Sequence, residues 1–559
     1  MVRMTGPLSR RTFLRNTTAA AALAPAARGW SQGIAQAFQS AQAIAPGPFQ
    51  PSWESLAQYR TPDWFRDAKF GIWAHWSAQC VPEQGDWFAR RMYLQGEKDY
   101  DWNIQHHGHP SKFGFMEYDN LWKAEQWQPD QLMGLYQAAG AKYFFALANH
   151  HDNFDNYDSS YHPWNSTKIG PKRDIIGTWS RAAKAHGLKL GVSNHSSHAW
   201  HWFQVAYGYD ATGPMANVRY DAATLTKADG KGKWWEGLDP QALYAGRTDL
   251  AMPDGVNTIA AQDAWHKAHD GTWHEEDPPQ NPRFAELWYL RCKDLFDKYD
   301  PDIVYFDDTE LPLGDKGLRV TAHLYNQSIR RHGSQQAVVV ANKRAANHPG
   351  AFTLTVERSR LTEINPEPWQ TATCIGDWHY RRSLFEEHKY KGADTIIPLL
   401  IDIISKNGNL LLSVPVRGNG AIDEDEHKFL ADLASWVPKH GEAIYGTRPF
   451  TVFGEGPPEP IEQNFSEKTR PHTAEDIRFT TKGNLLYAFV LAWPTDGKVR
   501  IKTLRRGGEH APARIQRAEM IGVPAGAAPL RYTQTADALE VTMPPDKPNP
   551  YAYVLRLTT

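Results

Sequence analysis

Cysteine is nearly missing from this chain: three in 559 residues, Cys80, Cys292 and Cys374. They are too few and too scattered for a disulfide framework or a zinc site, and at most one bridge can form. Charge of one sign is missing as well. With 61 Lys and Arg against 63 Asp and Glu the net charge is −2, which argues against a nucleic-acid partner or a polybasic membrane surface. Beyond the N-terminus no run approaches the roughly 18 apolar residues that a membrane span requires, so none is expected. No G-x-G-x-x-G or P-loop stretch follows any strand-like run, which removes the usual dinucleotide and nucleotide sites. Oligomeric state is not legible in the sequence.

Aromatic residues, by contrast, abound: 22 Trp, 23 Tyr and 23 Phe. Sugars present apolar C–H faces that stack on aromatic rings, while their hydroxyls seek polar partners, so this composition suits a carbohydrate site. The length implies two domains plus extensions. Residues 1–28 read as an export signal: Ser9, Arg10, Arg11, Thr12, Phe13 and Leu14 form a twin-arginine signature, followed by an Ala-rich stretch and an A-x-A site at Ala24, Pro25 and Ala26. Ala41, Gln42 and Ala43 offer a second cleavage point, so the sequence does not fix the mature N-terminus. A periplasmic or secreted protein is expected.

The central stretch is Lys298 to Pro312, KYDPDIVYFDDTELP. A helix tail and a Pro turn lead into the apolar run Ile303, Val304, Tyr305, Phe306, which stops on Asp307 and Asp308. A short apolar run bounded by turn signals reads as a buried parallel strand, and the working end of such a strand is its carboxyl end. In isolation the two carboxylates could equally open a loop or cap the next segment. The rest of the chain repeats the arrangement. Lys69 to Trp76 is a strand interrupted by His75, followed by a loop carrying Asp86 and Trp87. A helix over 126–139, stopped by Gly140, precedes the strand Lys142 to Ala148, which ends on Asn149, His150, His151 and Asp152. Adjacent residues on a strand face opposite sides, so His150 and His151 can share one metal only if the backbone turns between them.

Leu188 to Val192 ends on Ser193, Asn194, His195, Ser196, Ser197 and His198. From about 208 to 282 the rhythm gives way to a long insertion whose Trp234, Trp235, Trp265 and Trp273 suggest an ordered lid or wall. A helix over about 285–298 leads into the Asp307 strand. Gln336 to Ala341 ends on Asn342, Lys343 and Arg344, Phe352 to Val356 ends on Glu357 and Arg358, and Asn409 to Val414 is a later strand. About seven strands with polar tips fit an α/β fold of the (β/α)8 barrel type, over residues 45–447, better than an open nucleotide-binding sheet. From 450 to 559 short alternating segments between turns read as a small antiparallel β-sandwich. Trp436 to Phe450 joins the two parts.

Together the stretches KFGIWAHW, GDWFARRMY, AGAKYFFALANHHDNF, IGPKRDIIG, PDIVYFDD, PWQTATCIGDWHY, NGNLLLSV and HGEAIYGTRP resemble the α-L-fucosidases of glycoside hydrolase family 29, over roughly residues 60 to 450. The resemblance implies a barrel followed by a β-sandwich, retaining hydrolysis of terminal α-L-fucosides, a fucosylated glycan as partner and no cofactor or metal. It places the nucleophile on Asp307 and the acid/base on Glu357, with Glu363 and Glu367 as rivals. His75, His150, His151, Asp86, Trp87, Tyr305 and Arg344 fall at sugar-binding positions. Three departures bear on the sugar. Asp86-Trp87 stands where the family usually has Glu-Trp, Pro368-Trp369-Gln370 where it has Pro-Trp-Glu, and Ser193-Asn194-His195 where it has aromatic residues. They keep a related sugar such as an α-L-galactoside in play, beside two further readings: a sugar-binding barrel without turnover, and a metal-dependent hydrolase using His150, His151 and Asp308.

Overall fold

The structure is a computed structural model and describes residues 43–341, 348–458, 467, 470–524 and 527–559. The elements below belong to the unit Pro46–Thr559. Eight parallel strands close into a barrel: β1 (Phe70–Ala74), β2 (Tyr143–Asn149), β3 (Lys189–Asn194), β4 (Ile303–Phe306), β5 (Val338–Ala341), β6 (Thr353–Glu357), β7 (Trp369–Cys374) and β8 (Gly408–Ser413). Each strand pairs with its chain neighbours, and β8 returns to β1 through Leu411 opposite Gly71. No helix among the described residues is long and apolar enough to cross a membrane.

Period-two alternation sends Trp73, Tyr143, Phe145, Ile303, Tyr305, Val338, Val340, Ala372 and Leu411 into one interior cluster. Large rings there need small neighbours. A Cβ on Gly71 would lie 2.1 Å from the Tyr143 ring, and one on Gly191 would lie 2.5 Å from Phe145; these glycines let the rings cross the barrel axis. The cysteines are free and buried.

The expectation of about seven strands missed β7. Its sequence, WQTATC, is too polar to read as a buried strand, yet all six residues are buried. The interior is not wholly apolar at this level, since Tyr143 Oη donates to Gln370 Oε1 at 3.2 Å.

The helices follow the sequence signals. α1 (Pro129–Ala138) opens on Pro129 and ends before Gly140, whose φ of +102° only glycine adopts readily. In α2 (Ile175–Ala185) the Asp174 side chain accepts from Gly177 N–H at 2.8 Å. α3 (Pro282–Tyr299) and α4 (Asp315–His332) pack together outside β4. α5 (Ala393–Ser405) precedes β8, and α6 (Glu424–Trp436) starts on a capping box of Asp423 and Glu426. The insertion carries short helices at Asp221–Thr224 and Pro240–Leu243 and a longer one at Ile259–Ala268.

Beyond the barrel, β9 (Arg448–Glu455), β10 (Ile477–Lys482), β11 (Leu485–Val490), β13 (Arg517–Ile521) and β16 (Tyr553–Thr558) form a five-stranded sheet. β12 (Lys498–Ile501), β14 (Tyr532–Gln534) and β15 (Leu539–Thr542) form a three-stranded one. All pairings in both are antiparallel. Phe479, Leu486, Ala488 and Leu555 of the first share a core with Val499, Ile501, Leu539 and Val541 of the second, which makes the expected sandwich.

Candidate active site

Alternation settles the Asp-Asp pair. Ile303 and Tyr305 are interior residues, so Asp307 continues on the interior side and Asp308 turns outward. Asp307 lies at the C-terminal mouth, its side chain 11% exposed. Its Oδ2 is 3.5 Å from His151 Nε2 and 3.2 Å from His195 Nδ1, the second a close approach not aligned as a hydrogen bond. Asp308 is fully buried. Its carboxylate meets His198 Nε2 at 3.0 Å and accepts from Ser197 Oγ at 3.1 Å. Burial alone would lower the His198 pKa, but the charge and hydrogen bond of Asp308, with the charges of Asp307 and Glu275, outweigh it and raise it. As an imidazolium His198 donates on both sides, its Nδ1 reaching the His274 carbonyl at 3.0 Å.

At the histidines after β2 the backbone does turn. The β2–β3 register shifts between Leu147 and Asn149 and the chain turns at His151, so the two rings lie beside each other, with centroids 4.3 Å apart. His151 Nδ1 lies 2.8 Å from the His195 carbonyl. A carbonyl only accepts, so Nδ1 carries the proton and the neutral ring turns a bare Nε2 towards Asp307. Gln79 Nε2 donates to His150 Nδ1 at 2.9 Å, which leaves the proton of neutral His150 on Nε2. Burial holds His75, His150 and His151 well below the ordinary histidine pKa, so all three are neutral at pH 7.

Asp86 is tied to the tip of β7: its carboxylate accepts from His379 N–H at 2.8 Å and Trp378 N–H at 3.2 Å and lies 3.3 Å from His379 Nδ1. Burial opposes its ionisation, but these hydrogen bonds and the His379 ring lower its pKa. Trp87 takes the left-handed conformation (φ 64°) and is 37% exposed, a strained backbone of the kind that collects at functional sites. Tyr305 is buried beneath Asp307 between Trp73, 4.9 Å away, and His195, 6.0 Å away. Glu357 closes β6 opposite Ala372, an interior residue, which puts it on the interior side of the same mouth. Glu363 is exposed in the loop between β6 and β7. Glu367 is exposed just before β7 begins, at the opposite rim from Asp307. Arg344 lies outside the described residues.

Three residues not assigned to the site from the sequence join it. His195 stacks on His150 with centroids 4.9 Å apart, His379 meets His75 and His150 at 5.0 and 4.8 Å, and Trp202 lies 5.3 Å from His151. The polar run after β3 and the WHY triplet after β7 were the available signals, but neither fixes which side chain turns inward. Among the described residues three groups bring potential metal-ligand atoms within 4.8 Å of one another: His75, His150 and His195; His151, His195 and Asp307; and His198, Glu275 and Asp308.

A parallel eight-stranded barrel with buried carboxylates and histidines at its C-terminal mouth, followed by a β-sandwich, is matched by the family described as alpha-L-fucosidase over residues 36–442, and by its C-terminal domain over 470–558. The chain belongs to the α-L-fucosidase family. Relatives of this fucosidase-family chain include the tissue alpha-L-fucosidase of Rattus norvegicus, 27% identical over 83% of this chain and 84% of the rat protein. The human tissue enzyme is 25% identical, with 84% of each chain covered. Among solved structures, Thermotoga maritima alpha-fucosidase in complex with a mechanism-based inhibitor superposes with a TM-score of 0.67 at 23% identity, covering 91% of this chain and all of that one. The isoenzyme 1 of Paenibacillus thiaminolyticus gives 0.58 at 20% identity, covering 90% and 99%. These likenesses extend across both barrel and sandwich and make the fucosidase-family chain a glycoside hydrolase.

Proposed function

We propose that this protein hydrolyses terminal α-L-fucosides with retention of configuration, Asp307 acting as nucleophile and Glu357 as acid/base. The observation that carries the reading is the setting of Asp307: an interior carboxylate at the barrel's C-terminal mouth, with His151 and His195 against one of its oxygens. Asp307 attacks the anomeric carbon and the aglycone leaves with the proton of Glu357. A water deprotonated by Glu357 then releases the sugar from the glycosyl-enzyme ester. Neutral His150 and His151 offer a donor and an acceptor side by side, a match for neighbouring sugar hydroxyls; a hydroxyl donating to His151 Nε2 separates that lone pair from the Asp307 carboxylate. His75, Tyr305 and Trp87 form the floor and near wall of the sugar site, and Asp86 orients Trp378 and His379. The twin-arginine signature directs the folded enzyme across the inner membrane.

An aryl α-L-fucoside followed by NMR tests this directly. The first product should be the α-anomer; a β-anomer as first product excludes a retaining mechanism. Glu357→Gln should lose far more rate on substrates with poor leaving groups than on activated aryl fucosides, and azide should not substitute for Asp307 in it. Activity that disappears in chelator would favour the metal-dependent reading, and faster turnover of an aryl α-L-galactoside would reassign the sugar. Arg10→Lys with Arg11→Lys should retain the enzyme in the cytoplasm.

A further inference from the structure

His150 and His151 carry their protons on opposite nitrogens, and only one of them owes this to the backbone. His151 Nδ1 faces the His195 carbonyl, an acceptor that no change of side chain removes. His150 Nδ1 faces a side chain instead, the carboxamide of Gln79. What fixes the tautomer of His150 is therefore whatever fixes which way that carboxamide is turned.

Gln79 lies in the short helical turn Ala78–Cys80 directly after β1, where the Ser77 side chain accepts from its backbone N–H at 3.3 Å. Its side chain is buried and reaches three segments. Nε2 spends one hydrogen on His150 Nδ1 at 2.9 Å and the other on Asp152 Oδ2, also at 2.9 Å. Oε1 accepts from Ala89 N–H at 3.5 Å, in the turn that Trp87 opens. Turned over, the amide would set its oxygen against the Asp152 carboxylate and its NH2 against a backbone donor, so that favourable contacts become repulsions in a buried place. Asp152 is held in its turn, since Oδ1 accepts from Phe154 N–H at 3.1 Å. Burial pushes its carboxyl up to about 6, against the hydrogen bonds from Phe154 and Gln79, which leaves it ionised and purely an acceptor at pH 7. Every polar contact of the Gln79 amide thus points the same way, with its N–H towards His150.

We propose that Gln79, aligned by Asp152, is a positioning residue that makes His150 the hydrogen-bond donor of the sugar site, so that the substrate need only offer an acceptor there; this rests on the fucosidase reading above for the sugar, but not for the tautomer. Fluorine can accept a hydrogen bond and never donates one. It can therefore replace the hydroxyl that meets His150, but not one that must donate to His151.

The first test is the tautomer itself, read at pH 7 from two-bond proton–nitrogen spectra of enzyme labelled with 15N-histidine, with His150 assigned by the signals lost in His150→Gln. Wild type should carry the proton on Nε2. Gln79→Glu, whose carboxyl must share a proton with Asp152 and turns an acceptor towards His150, should move it to Nδ1. Gln79→Met, which offers Nδ1 no partner, should mix the two tautomers. A wild-type proton on Nδ1, or one unchanged tautomer in wild type and both variants, would overturn the proposal. The second test measures kcat/KM on an aryl α-L-fucoside and on analogues with fluorine replacing each ring hydroxyl in turn; comparing variant with wild type on each substrate cancels the inductive effect of fluorine. A hydroxyl can turn its hydrogen towards an acceptor, so Gln79→Glu should lose about tenfold more on one fluorinated analogue than on the parent. Equal losses on all substrates would reduce Gln79 to a structural support and sink the idea. If wild type cleaves no aryl α-L-fucoside, the fucosidase reading fails, while the spectra still decide the role of Gln79.

Discussion

The two rims of the barrel are built from the same strands and similar polar residues, yet they use them differently. At the N-terminal rim polar groups mostly serve the backbone or solvent: Trp64 Nε1 donates to the Gln336 carbonyl at 2.9 Å, Asn409 Nδ2 to the Phe65 carbonyl at 2.6 Å and Arg66 Nε to Asn407 Oδ1 at 3.1 Å. Lys69 is an exception, its buried ammonium pushed down to about 7. At the C-terminal rim four histidine rings, those of His75, His150, His195 and His379, crowd together with Asp307 against them. Such a cluster costs stability, because polar rings and a carboxylate are held away from water. The contrast teaches that burial of polar groups without backbone work to do, rather than polarity itself, marks the functional rim.

The sharpest way to break that comparison is to neutralise one carboxylate at each rim. Asp307→Asn should lower kcat by at least about 10³-fold while leaving the fold intact, because the lost group acts chiefly in the transition state. Added azide should restore part of the cleavage of an activated aryl fucoside. Glu367→Gln, at the exposed opposite rim, should leave kcat/KM within about twofold. Steady-state kinetics on both variants decide it; the reverse pattern would mean that the acid or nucleophile sits elsewhere.

A smaller effect, on stability rather than chemistry, is expected at the carboxylate next door. Asp308→Asn removes the partner of the His198 imidazolium in a pair with no exposure on either side, a change of about 3–5 kcal/mol. The sign with pH follows from the raised His198 pKa. The unfolded chain titrates near the ordinary value of about 6.5, so the stability that the pair supplies is fully present below that pH and is lost as pH rises through the higher folded value. The difference in melting temperature between wild type and Asp308→Asn should be largest below about pH 6.5 and should narrow towards pH 9. A difference that grows with pH would show that His198 is neutral in the fold.

Much of this rim was legible before the fold was known. Apolar runs ending on His75, Asn149, Asp307 and Glu357 announce strands by their period and their working ends by the polar residues that follow. The strand Trp369–Cys374 escaped because Gln370, Thr371 and Thr373 are buried polar residues whose partners come from distant strands, information that no local pattern carries. Whether His150 and His151 face apart depended on a turn that the sequence does not show, because alternation holds only while a strand remains regular, and β2 does not at its end. His195 was visible as a departure from the family but not as a neighbour of Asp307. Gln79 stood out in no pattern; its place beside His150 depends on Asp152 and Ala89, contacts made across the fold.

The smallest expected effect tests whether the N-terminal rim is only structural. Asp67 joins the barrel's lower rim to the first strand of the sandwich through Arg448, 2.5 Å away, in a pair 44% and 36% exposed at the two side chains. Solvent screens a pair this open, and such contacts are worth at most about 1 kcal/mol. Asp67→Asn also leaves two supports in place: the Asp67 carbonyl still accepts from Gly446 N–H at 3.0 Å, and Arg448 still has Asp63 at 3.9 Å. The melting temperature should fall by no more than about 2 °C and kcat on an aryl fucoside should stay at the wild-type value, since no group within reach of Asp67 touches the catalytic mouth. A loss of activity beyond about tenfold with the fold preserved would show that the two rims are coupled through the strands, and the division of labour between them would have to be given up.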